Sequence, residues 1–529
     1  MRLKGVNCTH GCVAEVYIFE PFFPIAGEPS RMTDTFDAGE FTLKRVREYV
    51  WELPQEGNMR VPGRVLASEA LLEEISGDNT LQQLQDTTHL PGIQKYALAL
   101  PDSHQGYGFP VGGVAGIDAE NGVISPGAVG YDVNCGVRLM KTTLTYEDVQ
   151  GHEAELVDAL FGAIPTGLGG GGVIQNAPVE EILERGVQWA VEEGYGIESD
   201  LAHCEDEGYR PEADASAVSR KAKDRGRNQA GSLGSGNHFL EVQRVTDIFR
   251  DDVATEFGLG ENQIVVLIHC GSRGLGHQVC TDYLRDIEQT HQGLLNQLPN
   301  KELAAAPAGS HLAEQYYGAM CAAINFAWVN RQLIMHETRH VLADLFDLAP
   351  GEMELLYDVA HNIAKKEIHD VGVSPEGRPV GDGEAVDSEE KELFVHRKGA
   401  TRAFPADRPE LPPAYSDVGQ PIIIPGSMGA GSYVLRGGEN SLAETFGSTA
   451  HGAGRLMSRT QAKNEYWGED VMDDLREQNQ IYVKAQSGAT VAEEAPGVYK
   501  DVDEVVKISD VLGIGDRVAR TYPVCNIKG

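Results

Sequence analysis

Short apolar segments separated by glycines occupy residues 92–140, and this stretch most restricts the fold that the chain can adopt. The glycines are Gly106, Gly108, Gly112, Gly113, Gly116, Gly127 and Gly130. Apolar runs of this length with glycine at their ends are typical of short buried strands joined by tight turns. The sequence therefore predicts β-structure in the interior of the protein here.

Helical patterns are found on both sides of this stretch. Residues 41–76 read as mixed helix and loop, with an amphipathic helix at 66–75. Helices are predicted to dominate residues 152–230, and apolar residues at helical spacing predict one long helix at 311–346. We expect that long helix to serve packing.

Further strands are predicted downstream. The run at 263–269 is apolar and ends in a histidine, and strand-like runs recur at 394–396 and 421–425. Residues 357–362, by contrast, are interpreted as part of an otherwise helical sequence. His238 and Glu241 would lie one helical turn apart if their segment is a helix.

The domain organisation follows from the absence of repeats and linkers in the 529-residue sequence. We predict an α+β fold for residues 32–529, as one large complex domain with central packed β-sheets surrounded by helices. Residues 372–392 are rich in proline, glycine and acidic residues, which indicates a solvated acidic insertion. Residues 1–31 are interpreted as an upstream extension or a misassigned start, with Met32 as the alternative first residue.

The charge balance is strongly acidic, with 80 acidic against 44 basic residues and a net charge of −36. Such a charge normally argues against a polyanionic partner. Acid excess with scarce lysine is instead typical of halophilic proteins, whose charged surface keeps them hydrated in a salt-rich cytoplasm. Eight scattered cysteines predict a reducing, cytoplasmic location, and no apolar run approaches the roughly 18 residues of a membrane span.

A candidate metal site begins at Asp132 and Cys135, because a carboxylate and a thiolate two residues apart in a tight turn can face one cavity. His238, His269 and His361 are candidate further ligands. Each histidine alone is more often a hydrogen-bonded structural residue, but the five together favour manganese, zinc, cobalt or nickel. Five ligands exceed one tetrahedral site, so a thiolate bridging two metals is the economical arrangement, and paired metals are typical of phosphoryl chemistry.

A glycine-rich turn follows His451. Small residues at 452–454 would let backbone amides approach a phosphate, Arg455 could supply charge, and imidazole is a competent nucleophile towards phosphorus. A glycine-rich helix start would explain the glycines but not the histidine before them. Residues 426–432 are a second, weaker candidate for a phosphate or ribose loop. Arg273 and Lys398 would place positive charge near the metals, the alternative being surface ion pairs with the abundant carboxylates.

Taken together, these motifs resemble those of the RtcB-type RNA-splicing ligases. The resemblance runs from about residue 40 to the last residue. Its matching segments are residues 101–110, 132–138, 236–241, 269–274, 361–362, 396–402, 425–429 and 451–455.

The resemblance implies a ligase that joins RNA 3′-phosphate or 2′,3′-cyclic phosphate ends to 5′-hydroxyl ends, in tRNA splicing and RNA repair. It implies GTP as co-substrate, two Mn²⁺ ions and a covalent His451–GMP. The implied metal ligands are Asp132, Cys135, His238, His269 and His361.

The same resemblance implies the remaining site residues and partners. For GTP and GMP they are Asn237, Phe239, Leu240, Glu241, Asn362, Pro425, Gly426, Ser427, Met428, Ser432, Gly452, Ala453, Gly454, Tyr499 and Lys528. Independently of the resemblance, Arg273, Lys398 and Arg455 are candidates for RNA phosphates because of the positive charge they would supply at the site. The implied partners are tRNA exon halves and broken RNA ends, an archease-type activator, and no membrane.

Two other classes of protein fit part of the pattern. A binuclear metallophosphoesterase would need the same metals but no histidine that accepts GMP. An RNA-end-binding or repair-scaffold protein would bind the same RNA without consuming GTP.

Overall fold

The computed structural model describes residues 34–372 and 389–529, apart from 168 and 170. The predictions for residues 1–31 and for most of the acidic insertion, 373–388, lie outside the described residues.

The strands of the described ranges are numbered in chain order. They are β1 Thr35–Ala38, β2 Phe41–Arg47, β3 Val50–Leu53, β4 Gly63–Leu66, β5 Ala97–His104, β6 Val111–Asp118, β7 Val123–Ile124, β8 Gly136–Thr145, β9 Phe239–Ile248, β10 Gln263–Cys270, β11 Ala306–Pro307, β12 Met353–Ala360, β13 Asn362–Asp370, β14 Glu390–Lys398, β15 Ala400–Arg402, β16 Pro421–Ile424, β17 Ser432–Gly437, β18 Ser448–Ala450, β19 Tyr482–Ala485 and β20 Gly515–Lys528.

The helices are numbered in the same way. They are α1 Glu69–Ser76, α2 Thr80–Thr87, α3 Pro126–Val129, α4 Tyr146–Val149, α5 Glu153–Ala163, α6 Val179–Arg185, α7 Val187–Glu192, α8 Ser199–Ala202, α9 Arg220–Gly226, α10 Asp251–Phe257, α11 Arg273–Thr290, α12 Gln292–Leu295, α13 His311–Phe346, α14 Ser441–Thr445, α15 Arg459–Glu465, α16 Gly468–Asn479, α17 Gly488–Glu493 and α18 Val502–Leu512. Short 3₁₀ turns lie at Glu205–Gly208, Ala215–Ala217, Lys301–Leu303, Pro350–Glu352, Pro413–Tyr415 and Pro496–Val498.

Two large sheets form the centre of the molecule. The first sheet has the strand order β1-β2-β3-β4-β5-β6-β14-β13, and the second has the order β12-β8-β10-β9-β20-β17-β16, with β19 beside β20. Neighbours are antiparallel except for the pairs β4 with β5 and β19 with β20. The mixture of large sheets and surrounding helices confirms the predicted α+β fold with one large domain.

Burial on both faces explains why strands of the second sheet are continuously apolar. In β10, Val266 and Ile268 pack into a core shared with the long helix α13, whereas Val265 and Leu267 pack into a separate core on the opposite face. Successive side chains of a strand point to opposite faces, so a strand covered on both faces needs an uninterrupted apolar run. The predicted strand at 263–269 and the predicted helix at 311–346 are both confirmed.

Three local predictions were wrong. Residues 41–66 form strands β2 to β4 where helix and loop were expected, although the helix predicted at 66–75 is present as α1. Residues 353–360 form strand β12 and not a helix, because a short apolar run fits a buried strand and a buried helix equally well. Glu241 lies on strand β9, so His238 and Glu241 are not one helical turn apart.

No helix of the described residues is long and apolar enough to cross a lipid bilayer.

Candidate metal and nucleotide site

The candidate metal ligands lie at one end of the second sheet. Cys135 immediately precedes β8, His238 precedes β9, His269 is the penultimate residue of β10, and His361 follows β12. The register pairs His269 with Val137 and with Phe239, and pairs Ala360 with Gly136. Because these strands alternate in direction, strand starts and strand ends meet at this edge of the sheet.

The side chains of these residues form one buried cluster. Sγ of Cys135 lies 3.2 Å from Nε2 of His269 and 3.5 Å from Nε2 of His238. Nε2 of His238 lies 2.8 Å from Oδ2 of Asp132. The ring of His361 packs against that of His269, with 5.5 Å between their centroids. The structure thus brings together all five predicted ligands.

The cluster fits a transition metal. Among the described residues, Asp132 Oδ1, His269 Nδ1 and His361 Nε2 are buried polar atoms without a hydrogen-bond partner. Buried polar atoms usually have a partner, so these three atoms are free to bind a ligand within the cluster. A thiolate, a carboxylate and three imidazoles are donors that manganese, zinc, cobalt and nickel accept.

Burial shifts the pKa of His269, His361 and Cys135, whereas the negative charges of Cys270 and Asp132 hold the pKa of His238 well above its ordinary value despite its burial. Burial lowers the pKa of His269 and of His361 well below the ordinary value, so both rings are neutral, as metal ligation requires. Burial and the charge of Asp132 raise the pKa of the Cys135 thiol. A metal would have to displace the thiol proton, which couples metal binding to proton release.

His451 adjoins the cluster through His361. The rings of His238, His269, His361 and His451 follow one another with centroid separations of 5.6, 5.5 and 5.3 Å. We call these four rings the imidazole row. His451 immediately follows β18 and precedes the glycine-rich turn at residues 452–454.

Asp102 of β5 fixes the orientation of His451. Its Oδ2 atom accepts a hydrogen bond from the backbone N–H of His451 at 2.9 Å and lies 2.6 Å from Nδ1 of the ring. A carboxylate only accepts, so the ring proton lies on Nδ1 and Nε2 keeps its lone pair. Nε2 of His451 is therefore the atom able to act as a nucleophile.

The glycine-rich turn packs tightly on this pair. A Cβ at Gly454 would lie 2.1 Å from the carbonyl oxygen of Asp102, and the φ of Gly454 is +77°. The backbone N–H of Ala453 donates to the carbonyl of Pro425 at 3.1 Å. The turn after His451 therefore requires glycine at position 454. The hydrogen bond from Ala453 holds this turn against the loop that contains Pro425.

A cavity of about 260 Å³ is lined by His451 and by four residues of the cluster, Asp132, Cys135, His269 and His361. The predicted nucleotide residues among those lining it are Asn237, Phe239, Asn362, Pro425, Gly426, Gly452, Ala453, Gly454 and Tyr499. Predicted site residues that do not line this cavity within the described part of the chain are His238, Leu240, Glu241, Arg273, Ser427, Met428, Ser432 and Lys528. Leu240 and Met428 instead pack in hydrophobic cores.

Glu241 and Lys528 lie just behind the cavity wall. Nζ of Lys528 lies 5.0 Å from the ring centroid of Phe239 and 3.5 Å from Glu494. Glu241 accepts hydrogen bonds from Gln243 and Asn526. Burial raises the pKa of Glu241 to about 7 despite the opposing charge of Lys528.

The three candidates for RNA phosphates are held by internal contacts. Nζ of Lys398 donates to three backbone carbonyls, at 2.6, 3.0 and 3.1 Å, and burial lowers its pKa to about 7. Nη1 of Arg273 lies 2.7 Å from Nδ1 of His238. Arg455 forms a 3.0 Å ion pair with Glu494. Lys398 and Arg455 line the cavity, whereas Arg273 lies behind His238.

Two residues were missed from the sequence. Asp102 lies in the matching segment 101–110, but the sequence patterns predict no function for it. Arg331 lies on α13, which was expected to serve packing. Its guanidinium donates to the carbonyls of Asn134 and Cys270 at 2.9 and 2.7 Å and pairs with Asp358, so it fixes the turn that carries Cys135. The polar triplet Asn330, Arg331 and Gln332 within a mostly apolar helix was the available signal.

The fold and the cavity define an α+β protein in which a cluster of potential metal ligands lies beside an oriented histidine. A family model described as tRNA-splicing ligase RtcB matches residues 83–529. The chain therefore belongs to the RtcB family of tRNA-splicing ligases.

Three curated relatives match over nearly their full length. The chain is 51% identical to the tRNA-splicing ligase RtcB of Thermococcus kodakarensis over 492 residues, which cover 92% of this chain and 99% of the relative. It is 47% identical to the RtcB proteins of Archaeoglobus fulgidus and Aeropyrum pernix, covering 93% and 92% of this chain and 99% of each relative.

Proposed function

We propose that the chain is a GTP- and manganese-dependent RNA ligase that joins RNA 3′-phosphate or 2′,3′-cyclic phosphate ends to 5′-hydroxyl ends. Its substrates would be tRNA exon halves and broken RNA, with the archease-type activator and the cytoplasmic location retained as further proposals. The observation that carries this proposal is the placement of His451, oriented by Asp102, in one cavity with four of the five predicted metal ligands.

Asp132, Cys135, His238, His269 and His361 would hold two Mn²⁺ ions. When bound, the ions would polarise the triphosphate and neutralise the charge that develops as pyrophosphate leaves.

In the first step, Nε2 of His451 attacks the α-phosphorus of GTP. A nitrogen–phosphorus bond forms, and the bond from that phosphorus to the pyrophosphate oxygen breaks. Asp102 keeps the proton on Nδ1 and stabilises the positive charge that the ring gains, because the two atoms are 2.6 Å apart.

The walls of the cavity would hold the guanylate. Backbone amides of residues 452–454 can approach its phosphate, since the turn carries no bulky side chain there. Phe239 and Tyr499 offer aromatic surface to the base. We propose that Glu241 and Lys528, which lie behind Phe239, offset each other's charge next to the bound guanylate.

The remaining steps transfer the guanylate to RNA. An oxygen of the RNA 3′-phosphate attacks the histidine-bound phosphorus, the nitrogen–phosphorus bond breaks, and the free imidazole and an RNA with a 3′-diphosphate-linked guanosine result. The 5′-hydroxyl then attacks the RNA-borne phosphorus, loses its proton, and expels GMP. A cyclic end must first be opened by water to the 3′-phosphate. Arg273, Lys398 and Arg455 remain the proposed residues for the RNA phosphates.

Labelled GTP and manganese test the proposal directly. Wild-type protein should acquire an acid-labile, alkali-stable GMP adduct, and His451→Ala should acquire none. His340→Ala, a histidine variant on α13 outside the cavity, is the matched control and should be labelled like wild type. A wild type that takes up no GMP but hydrolyses phosphate esters would support a metallophosphoesterase, and one that only binds RNA would support a scaffold.

Cys135→Ala tests the role proposed for the cluster. The variant should lose GMP uptake as well as RNA joining, because the thiolate lies at the centre of the proposed ligand set, close to both His238 and His269. Cys280→Ala removes a buried thiol outside the cavity and serves as the control. Normal adduct formation by Cys135→Ala would show that the cluster is not needed for the first step.

A further inference from the structure

Helix α9 and the residue that follows it form a strongly basic segment near the site. Five of the eight residues from 220 to 227 are basic, whereas only 44 of all 529 residues are lysine or arginine. The basic residues are Arg220, Lys221, Lys223, Arg225 and Arg227. We call residues 220–227 the basic segment.

Two cations of the basic segment face solvent without a carboxylate partner. Arg220 is 3.8 Å from Asp224, and Lys223 is 3.5 Å from Glu180. Lys221 and Arg225 are exposed, and neither forms an ion pair with a carboxylate of the described residues. Their charge is therefore available to a ligand.

The basic segment is connected to the cavity through α11. The guanidinium of Arg225 donates to Gln278 at 3.2 Å and lies against Gly274 in the first turn of that helix. On the same helix, the exposed His277 stacks on Tyr131, with centroids 4.9 Å apart and planes at 28°. Tyr131 lines the cavity and immediately precedes Asp132.

The order of the four rings in the imidazole row shows which end of the row the basic segment adjoins. His451 lies at one end of the row and His238 at the other, where Arg273 of α11 contacts His238 at 2.7 Å. Arg225 therefore adjoins the end of the row that is remote from His451. The phosphate-binding turn proposed at residues 452–454 follows His451 directly, whereas Arg225 and His277 lie on the side of Arg273 and His238.

We propose that Lys221 and Arg225 bind the phosphodiester backbone of an RNA strand whose end enters the cavity past His277 and Tyr131. This inference rests on the proposed function. A protein with a net charge of −36 repels a polyanion at long range, so RNA needs a local cationic surface beside the site. The two solvent-facing cations supply one, and backbone contacts hold a strand without reading its sequence.

The test compares Lys221→Ala/Arg225→Ala with wild type in binding a fluorescent single-stranded RNA that carries a 3′-phosphate. Binding is measured by anisotropy over a range of potassium chloride concentrations, with two unrelated RNA sequences. Loss of two phosphate contacts should weaken binding about tenfold and lower the slope of log affinity against log salt by about 1.4, equally for both sequences. Lys44→Ala/Lys507→Ala removes two exposed cations elsewhere and should bind like wild type.

GMP uptake separates this inference from the proposed function. The double variant should form the GMP adduct at the wild-type rate, since that step needs no RNA, while its KM for RNA joining rises. A wild type that neither takes up GMP nor joins RNA would refute the proposed function. A competent wild type whose α9 double variant binds RNA with unchanged affinity and salt slope would refute the inference, and would leave an acidic protein as the partner of α9.

Lys221→Gln guards against a folding defect in the double variant, because this side chain is exposed. It should unfold at the wild-type temperature and show about half of the change in salt slope. An unchanged slope in this folded variant would also count against the inference.

Discussion

Asp102 and His451 lie 349 residues apart in the sequence, yet their side chains form a 2.6 Å contact that decides which ring nitrogen is reactive. Sequence patterns identified His451 because the residues next to it in the sequence indicate its chemistry. They could not identify its partner, because nothing local to residues 101–110 shows which distant residue Asp102 faces. Cys135 and the other histidines could be identified from the sequence for the same reason.

Asp102→Asn tests this pairing. The amide can donate as well as accept, so the Nδ1 proton is no longer enforced, and we expect GMP uptake to slow by about 10²- to 10⁴-fold, as in other histidines that lose their orienting carboxylate. Single-turnover labelling with GTP measures the rate. Ser103→Ala alters the neighbouring residue and should retain a rate near wild type; an undiminished rate in Asp102→Asn would show that the carboxylate does not orient the ring.

Glu241 predicts a pH dependence of stability. Burial raises its pKa from 4.5 to about 7. The folded state therefore favours the protonated carboxyl, and the stability it contributes is full below pH 4.5 and is lost as the pH rises through 7. At 1.36 kcal/mol per pKa unit, the ionised form costs about 3 kcal/mol above that range.

Glu241→Gln removes this cost because glutamine stays neutral. Relative to wild type, the free energy of unfolding of the variant should rise by about 3 kcal/mol between pH 4.5 and pH 8. Denaturant titrations at several pH values measure the difference. The exposed Glu155→Gln should show no such trend, and a constant offset for Glu241→Gln would contradict the raised pKa.

At the level of the elements, long patterned segments were predictable and short apolar ones were not. The 36-residue helix α13 repeats its apolar spacing over many turns, so its period is unmistakable. Strand β12 has eight residues, seven of them buried, and carries no period that separates strand from helix. Its place in the sheet is decided by tertiary contacts, including the ion pairs of its Asp358 with Arg138 and Arg331.

Arg331→Met should therefore destabilise the fold strongly. The substitution leaves Asp358 with one arginine and removes the donors to Asn134 and Cys270. Breaking a buried ion pair in this way costs about 3–5 kcal/mol. Urea unfolding measures the loss. Arg285→Met, on the exposed face of α11, should leave the urea midpoint nearly unchanged, and a similar midpoint for Arg331→Met would contradict the role given to this arginine.

For the molecule as a whole, the charge of −36 dominates the response to salt. Added ions screen the mutual repulsion of the carboxylates, since the Debye length falls from about 10 Å at 0.1 M to about 3 Å at 1 M. We expect the thermal unfolding temperature to rise by at least several degrees from dilute buffer to molar potassium chloride. Scanning calorimetry measures it, and a falling temperature would contradict the interpretation of the charge as a halophilic adaptation. RNA affinity should change in the opposite direction over the same series.

His361 is the single residue between β12 of the second sheet and β13 of the first. The chain crosses from one sheet to the other at a proposed metal ligand, while Asp102 reaches His451 from the first sheet. Neither sheet can loosen without moving part of the cavity. Catalytic activity should then disappear in step with global unfolding, so that an activity assay can serve as a direct count of folded molecules, and no cut of the chain into two fragments would leave either one competent.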